Sequence, residues 1–115
     1  MIEVSKYLIE ILNNFPALAA AVQGRIYPLI ANESVKFPFV VYGFGEVPFE
    51  TKDACAYNVN VAGWFDTNNI TEAMHMADNL KELAEQHDWE FVNTNVGFDA
   101  ATQKIFSEIN FKIIM

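Results

Sequence analysis

Gly24-Arg25-Ile26-Tyr27-Pro28, followed ten positions later by Pro38-Phe39-Val40-Val41-Tyr42, carries the chain from a helix end to a buried strand through a tethered loop. Gly24 suits a left-handed helix cap, because glycine alone takes that geometry without a Cβ penalty. Tyr27 is pushed toward extended geometry by the proline after it, so Arg25 to Pro28 reads as an extended segment. The loop 31–36 follows. Pro38 then stands where a strand begins, the place where a missing amide donor does least harm. Phe39-Val40-Val41-Tyr42-Gly43-Phe44 is the β-branched and aromatic run typical of a sheet.

Upstream, Val4, Leu8, Ile11 and Leu12 recur at helical spacing with Glu3, Lys6 and Glu10 off that face, which predicts an amphipathic first helix. Asn13-Asn14 and Pro16 interrupt it, and Pro16 suits the first turn of a second, short helix over Ala17 to Gln23. Downstream, 45–53 is a polar, Pro48-containing connection to a strand over Ala56 to Phe65. There Tyr57, Val59, Val61 and Phe65 share one face, and Asn58, Asn60, Ala62 and Trp64 share the other. This strand and the one before it are expected to pair antiparallel. Asp66-Thr67-Asn68-Asn69 has turn chemistry, and Asn69 with Glu72 has capping-box spacing. The helix that starts there runs to about Gln86 or His87 on a stripe of Ile70, Ala73, Met74, Ala77, Leu80, Leu83 and Ala84. Two strands finish the sequence, Trp89 to Val96 and Ile105 to Met115. In the second, Ile105, Ile109, Phe111, Ile113 and Met115 alternate with Phe106, Glu108, Asn110 and Lys112.

The order ααββαββ predicts an α+β fold, an antiparallel four-stranded sheet with helices packed on one face. The other face is left open, with Asn58, Asn60, Trp64, Phe106 and Asn110 on it. Water tolerates the amides, whereas the aromatics invite a partner.

A length of 115 residues fits a single domain over 1–115. Hydrophobic residues make up 52% and charged residues 19%, a surplus of apolar side chains for a monomer of this size. Two destinations for that surplus are open, a subunit interface or a generous core, and the ten Phe, two Trp and four Tyr serve either. Fifteen acids against seven bases give a formal charge of −8, which removes the driving force for sequence-specific nucleic-acid binding. An acidic channel wall in an oligomer would still let a duplex slide past without sticking. Cys55 is the single cysteine, so no intrachain disulfide can form. No signal peptide opens the sequence and no apolar run nears the roughly 20 residues of a bilayer span, so a cytosolic chain without a membrane partner is expected.

Candidate chemistry is thin. His75 and His87 stand twelve residues apart, whereas metal-binding pairs on a helix sit about four apart, so no metal site is expected. Cys55 has no neighbouring His in sequence and reads as an inert thiol. Glu46, Glu50 and Asp53, with Asp66 beyond the next strand, have neither calcium-loop spacing nor its glycine and read as a solvated acidic loop. Gly43-Phe44-Gly45 is too short for a dinucleotide fingerprint and precedes no helix. Asn69-Ile70-Thr71 matches a glycosylation sequon without an export signal to make it relevant. No catalytic or cofactor-binding residue is expected.

Gly24-Arg25-Ile26-Tyr27-Pro28, Pro38-Phe39-Val40-Val41-Tyr42, the run Val59-Asn60-Val61-Ala62-Gly63-Trp64-Phe65 leading into the Ala73, Ala77, Leu80 helix, and Ile109-Asn110-Phe111-Lys112-Ile113 together resemble the bacteriophage tail-completion family, whose members include tail terminators similar to the minor tail protein U of lambda-like phages. The resemblance spans nearly the whole chain and rests on apolar periodicity, two prolines and a glycine. It implies a non-enzymatic structural protein that forms a ring, usually hexameric, at the head-proximal end of the tail tube, where it stops polymerisation and joins tail to head. The implied partners are its own copies, the tail tube protein and head-tail connector proteins, with DNA passing through the ring. The implied location is the host bacterial cytoplasm during assembly, then the virion tail. A closed ring needs two different contact patches on each subunit. The loop from Phe44 to Asp53, with Glu46, Phe49 and Glu50, and the open face around Trp64 and Phe106 are the expected patches. A reading from another class is a small ligand-binding or regulatory dimer with the open sheet face as its pocket floor.

Overall fold

Leu8 and Leu12, one helical turn apart, are fully buried on the inner face of the first helix, α1 (Ile2–Asn14). The computed structural model describes residues 2–23, 25–28, 36–47, 56–87 and 89–114. Asn13 and Asn14 belong to α1 and do not interrupt it, and Pro16 opens α2 (Pro16–Val22). The left-handed residue after α2 is Gln23, with φ 53°, and the expected cap Gly24 lies outside the described residues. Arg25 N–H donates to the Val22 carbonyl at 3.0 Å, and the turn delivers the chain to β1 (Ile26–Pro28).

Among the described residues the sheet has five strands and is mixed, in the order β1-β2-β3-β5-β4, with β2 (Phe39–Val47), β3 (Ala56–Phe65), β4 (Glu90–Asp99) and β5 (Lys104–Ile114). The four-strand antiparallel expectation omits β1, which runs parallel to β2 with Ile26 opposite Val40 and Pro28 opposite Tyr42. A three-residue strand that ends on proline is too short for alternation to reveal. It is held to its neighbour by the Val40 N–H donating to the Arg25 carbonyl at 2.9 Å. The long strands pair antiparallel as expected, β2 with β3, β3 with β5, and β5 with β4. β2 extends through Gly43 and Gly45 to Val47, and β4 extends through Gly97 to Asp99, because ladder pairing on a neighbour overrides the breaker tendency of glycine.

One continuous core lies between the helices and one sheet face. It joins Leu8, Leu12, Leu18 and Val22 to Val40, Tyr42, Val59, Val61, Phe65, Ile105, Ile109, Phe111 and Ile113. The third helix, α3 (Ile70–Gln86), buries Ala73, Met76, Ala77, Leu80, Leu83 and Ala84. Ile70 and Met74 are exposed, contrary to the expected stripe, and Met76 is buried at 3% exposure. Met74 and Met76 stand about 200° apart around the helix, so only one can face the sheet. Met76, three residues from Ala73 and four from Leu80, is the one on the buried stripe, and Gly63 makes room for it: a Cβ there would overlap the Met76 sulfur, so the bare backbone of β3 is the seat of the thioether. Asn69 occupies the N-cap of α3 but makes no side-chain capping bond, so the expected capping box with Glu72 does not form.

Candidate interaction surface

Alternation along β3 and β5 lays a second face, away from the described helices, and strand register aligns it into rows. Phe39 stands opposite Trp64, Trp64 opposite Phe106, and Phe106 opposite Gly97, so one row crosses four strands with three half-buried aromatics. Trp64 and Phe106 have ring centroids 5.7 Å apart at a 48° tilt. Gly97 makes room for the Phe106 ring, whose Cζ would lie 2.9 Å from a Cβ at that position. Phe37 extends the cluster, 5.1 Å from Phe39, and the Lys104 ammonium lies 5.0 Å above the Phe37 ring while pairing with Asp66 at 3.0 Å. A cation over an aromatic face is attracted by the ring quadrupole.

Four residues along β3, the face turns polar. The Asn60 Nδ2 donates to Asn110 Oδ1 at 2.9 Å and to Glu108 Oε2 at 3.1 Å. Asn110 Nδ2 in turn donates to Asn93 Oδ1 at 2.8 Å. Three strands are thus tied by an amide ladder.

Of the residues proposed from sequence, Trp64 and Phe106 are brought together on this face. Phe44 is not: it lies in β2 opposite Val59 and packs against the core, its ring 6.5 Å from Tyr42 and 6.4 Å from Tyr57. The acidic loop was expected to begin near it, but β2 continues to Val47. Glu46 is a strand residue opposite Tyr57, its side chain outside those described. Phe49, Glu50, Asp53 and Cys55 lie outside the described residues. Phe37, Phe39, Lys104 and Asn93 join the surface without having been singled out. Their membership depends on cross-strand register, and the paired alternation of β2 with β3 was the signal that could have placed Phe39 beside Trp64.

The two histidines stay apart. His75 lines a cleft of about 330 Å³ between α2 and α3, with Leu18, Phe65 and Met76 in its floor. His87 caps α3, lines a separate cleft of about 630 Å³ beside Tyr7 and Glu10, and stacks on Trp89 at 4.9 Å. Trp89 is fixed from two further sides, by Phe111 stacked at 4.6 Å and by its indole N–H donating to the Tyr7 hydroxyl at 3.3 Å. Among the described residues no group of three or more His, Cys, Asp or Glu side chains is placed to hold a metal ion, and no helix is long and apolar enough to cross a membrane.

Comparison of the chain with protein-family models finds no match, and comparison with curated proteins finds none either.

Proposed function

We propose that this protein is a structural component of a bacteriophage or prophage tail, of the tail-completion or terminator type. It assembles as a ring at the head-proximal end of the tail tube, ends tube polymerisation and joins tail to head. The observation that carries the reading is the aromatic row Phe39, Trp64 and Phe106 on a sheet face that none of the described helices covers. Half-buried aromatics in a row are the residue types that anchor protein contacts. The charge balance is compatible with it: fifteen acids against seven bases suit a channel that DNA must cross without sticking. Copies of the chain, the tube protein and head-tail connectors are the partners. The sites are host cytoplasm during assembly and then the virion. The role is mechanical rather than catalytic.

A ligand-binding or regulatory dimer on the same face is less well supported, because the amides that would grip a ligand already bond to one another across β3, β5 and β4. Native mass spectrometry with negative-stain microscopy separates the two. A six-fold ring, lost in a Trp64→Ser, Phe106→Ser double variant that remains folded, supports the tail reading. A strict dimer carrying a small molecule overturns it.

A further inference from the structure

The two edges of the sheet differ sharply. β1 is three residues long and ends on Pro28, a short edge of the kind that discourages strand addition. β4 is ten residues long and, among the described residues, pairs only with β5, so its outer backbone N–H and C=O groups face no described strand. Protection is confined to one end, where the Lys81 ammonium lies 5.4 Å over the Phe91 ring and the register is irregular at Val92; Asn93 to Asp99 is in regular register, and Asn93 to Phe98 carries no charge and no proline. Phe91, Val92 and Phe98 are exposed at 39%, 54% and 56%.

Charge selects the occupant. Glu90 at one end of β4 stands opposite Lys112 of β5, and Asp99 at the other end stands opposite Lys104. An acid of β4 therefore faces a base of β5 at both ends, and a sixth strand on the outer side of β4 meets the same acids favourably only if it presents a base opposite each. A second copy of β4 lying antiparallel would instead bring its Asp99 beside Glu90, and like charges on adjacent strands are unfavourable.

We infer that the β4 edge is a strand-addition site for an extended segment of another protein, uncharged through its middle and carrying lysine or arginine near each end, about nine residues apart to match Glu90 and Asp99. Main-chain hydrogen bonds supply the attachment and the two cross-strand charge pairs supply the selectivity. This inference is independent of the tail reading and holds for any partner with that pattern.

The probe is a synthetic ten-residue peptide of alternating threonine and valine with lysine at both ends, titrated into the full-length protein at low salt. The expected result is slowed amide hydrogen exchange along Asn93 to Phe98, and affinity at least about fivefold above that of the same peptide with glutamate ends. Glu90→Gln, which removes the charge without placing a second lysine opposite Lys112, is expected to shrink that preference while leaving thermal unfolding of the free protein little changed. Equal affinity for the two peptides, no slowing along β4, or β4 protection that rises with protein concentration in the absence of peptide would each overturn the inference, the last by showing that a second copy takes the edge.

Discussion

Arg25 Nε donates to the main-chain carbonyl of Pro38 at 2.9 Å, fastening the end of the helical segment to the start of β2 across thirteen residues of sequence. The main chain repeats the tie, with Val40 N–H on the Arg25 carbonyl. β1 is in register with β2 because both bonds converge on one residue.

Replacing Arg25 with alanine removes a charge-assisted, partly buried bond and is expected to lower unfolding free energy by about 1.5–3 kcal/mol. Arg25→Lys should recover only part of it, since an ammonium lacks the fixed planar donor geometry of the guanidinium. Urea unfolding of both variants checks this, and equal stability of Arg25→Ala and the parent would count against the tie.

The Gly63 backbone seats the Met76 thioether, so a methyl group at Gly63 forces the sulfur out of a close-packed core. Gly63→Ala is expected to destabilise by about 1–3 kcal/mol. Met76→Ala alone leaves a cavity, but the double variant should be more stable than the sum of the two losses implies, a coupling of about 0.5 kcal/mol or more. A double-mutant cycle by denaturant unfolding measures it, and strict additivity would show that the two residues do not meet.

Ser107 lies beside this seat, opposite Gly63 in register, and is fully buried with its hydroxyl oxygen finding no hydrogen-bond partner among the described residues. Ser107→Ala removes an unsatisfied buried group and is expected to raise stability by about 0.5–1.5 kcal/mol, visible as an increase in Tm. A loss of stability would mean that the hydroxyl is bonded in solution.

Asn110 is the central rung of the amide ladder, accepting from Asn60 and donating to Asn93. Its replacement by alanine breaks both bonds, whereas Asn93→Ala breaks one. Asn110→Ala is therefore expected to cost about 1–2 kcal/mol and Asn93→Ala about half as much, read from urea midpoints. Equal losses would place the bonds elsewhere.

Much of this architecture was legible in the sequence. The alternation in β3 and β5 correctly assigned every face-defining residue from Tyr57 to Trp64 and from Ile105 to Lys112, because a half-buried strand writes its burial with period two. The amphipathic stripe of α3 was right at Ala73, Ala77, Leu80, Leu83 and Ala84. Ile70 and Met74 fall outside it and Met76 inside, as the spacing from Ala73 to Met76 and Leu80 requires, and Gly63 leaves the room the Met76 sulfur occupies. β1 was invisible as a sheet strand because three residues hold too little periodicity, and its tie to Pro38 is a tertiary contact. The aromatic row was half legible: Trp64 and Phe106 follow from alternation, whereas Phe39 joins only through register and Phe37 through its contacts with Phe39 and Lys104. The bare edge of β4 could not be read at all, since strand order depends on which strand β5 takes as its inner neighbour.

The tail reading is tested most directly by the length of tail tubes grown from purified tube subunits with and without this protein, measured by electron microscopy. Tubes are expected to stop short in its presence, capped at one end by a ring, and to grow uncapped with the Trp64→Ser, Phe106→Ser variant. Tubes of unchanged length at stoichiometric excess of the folded protein would contradict it.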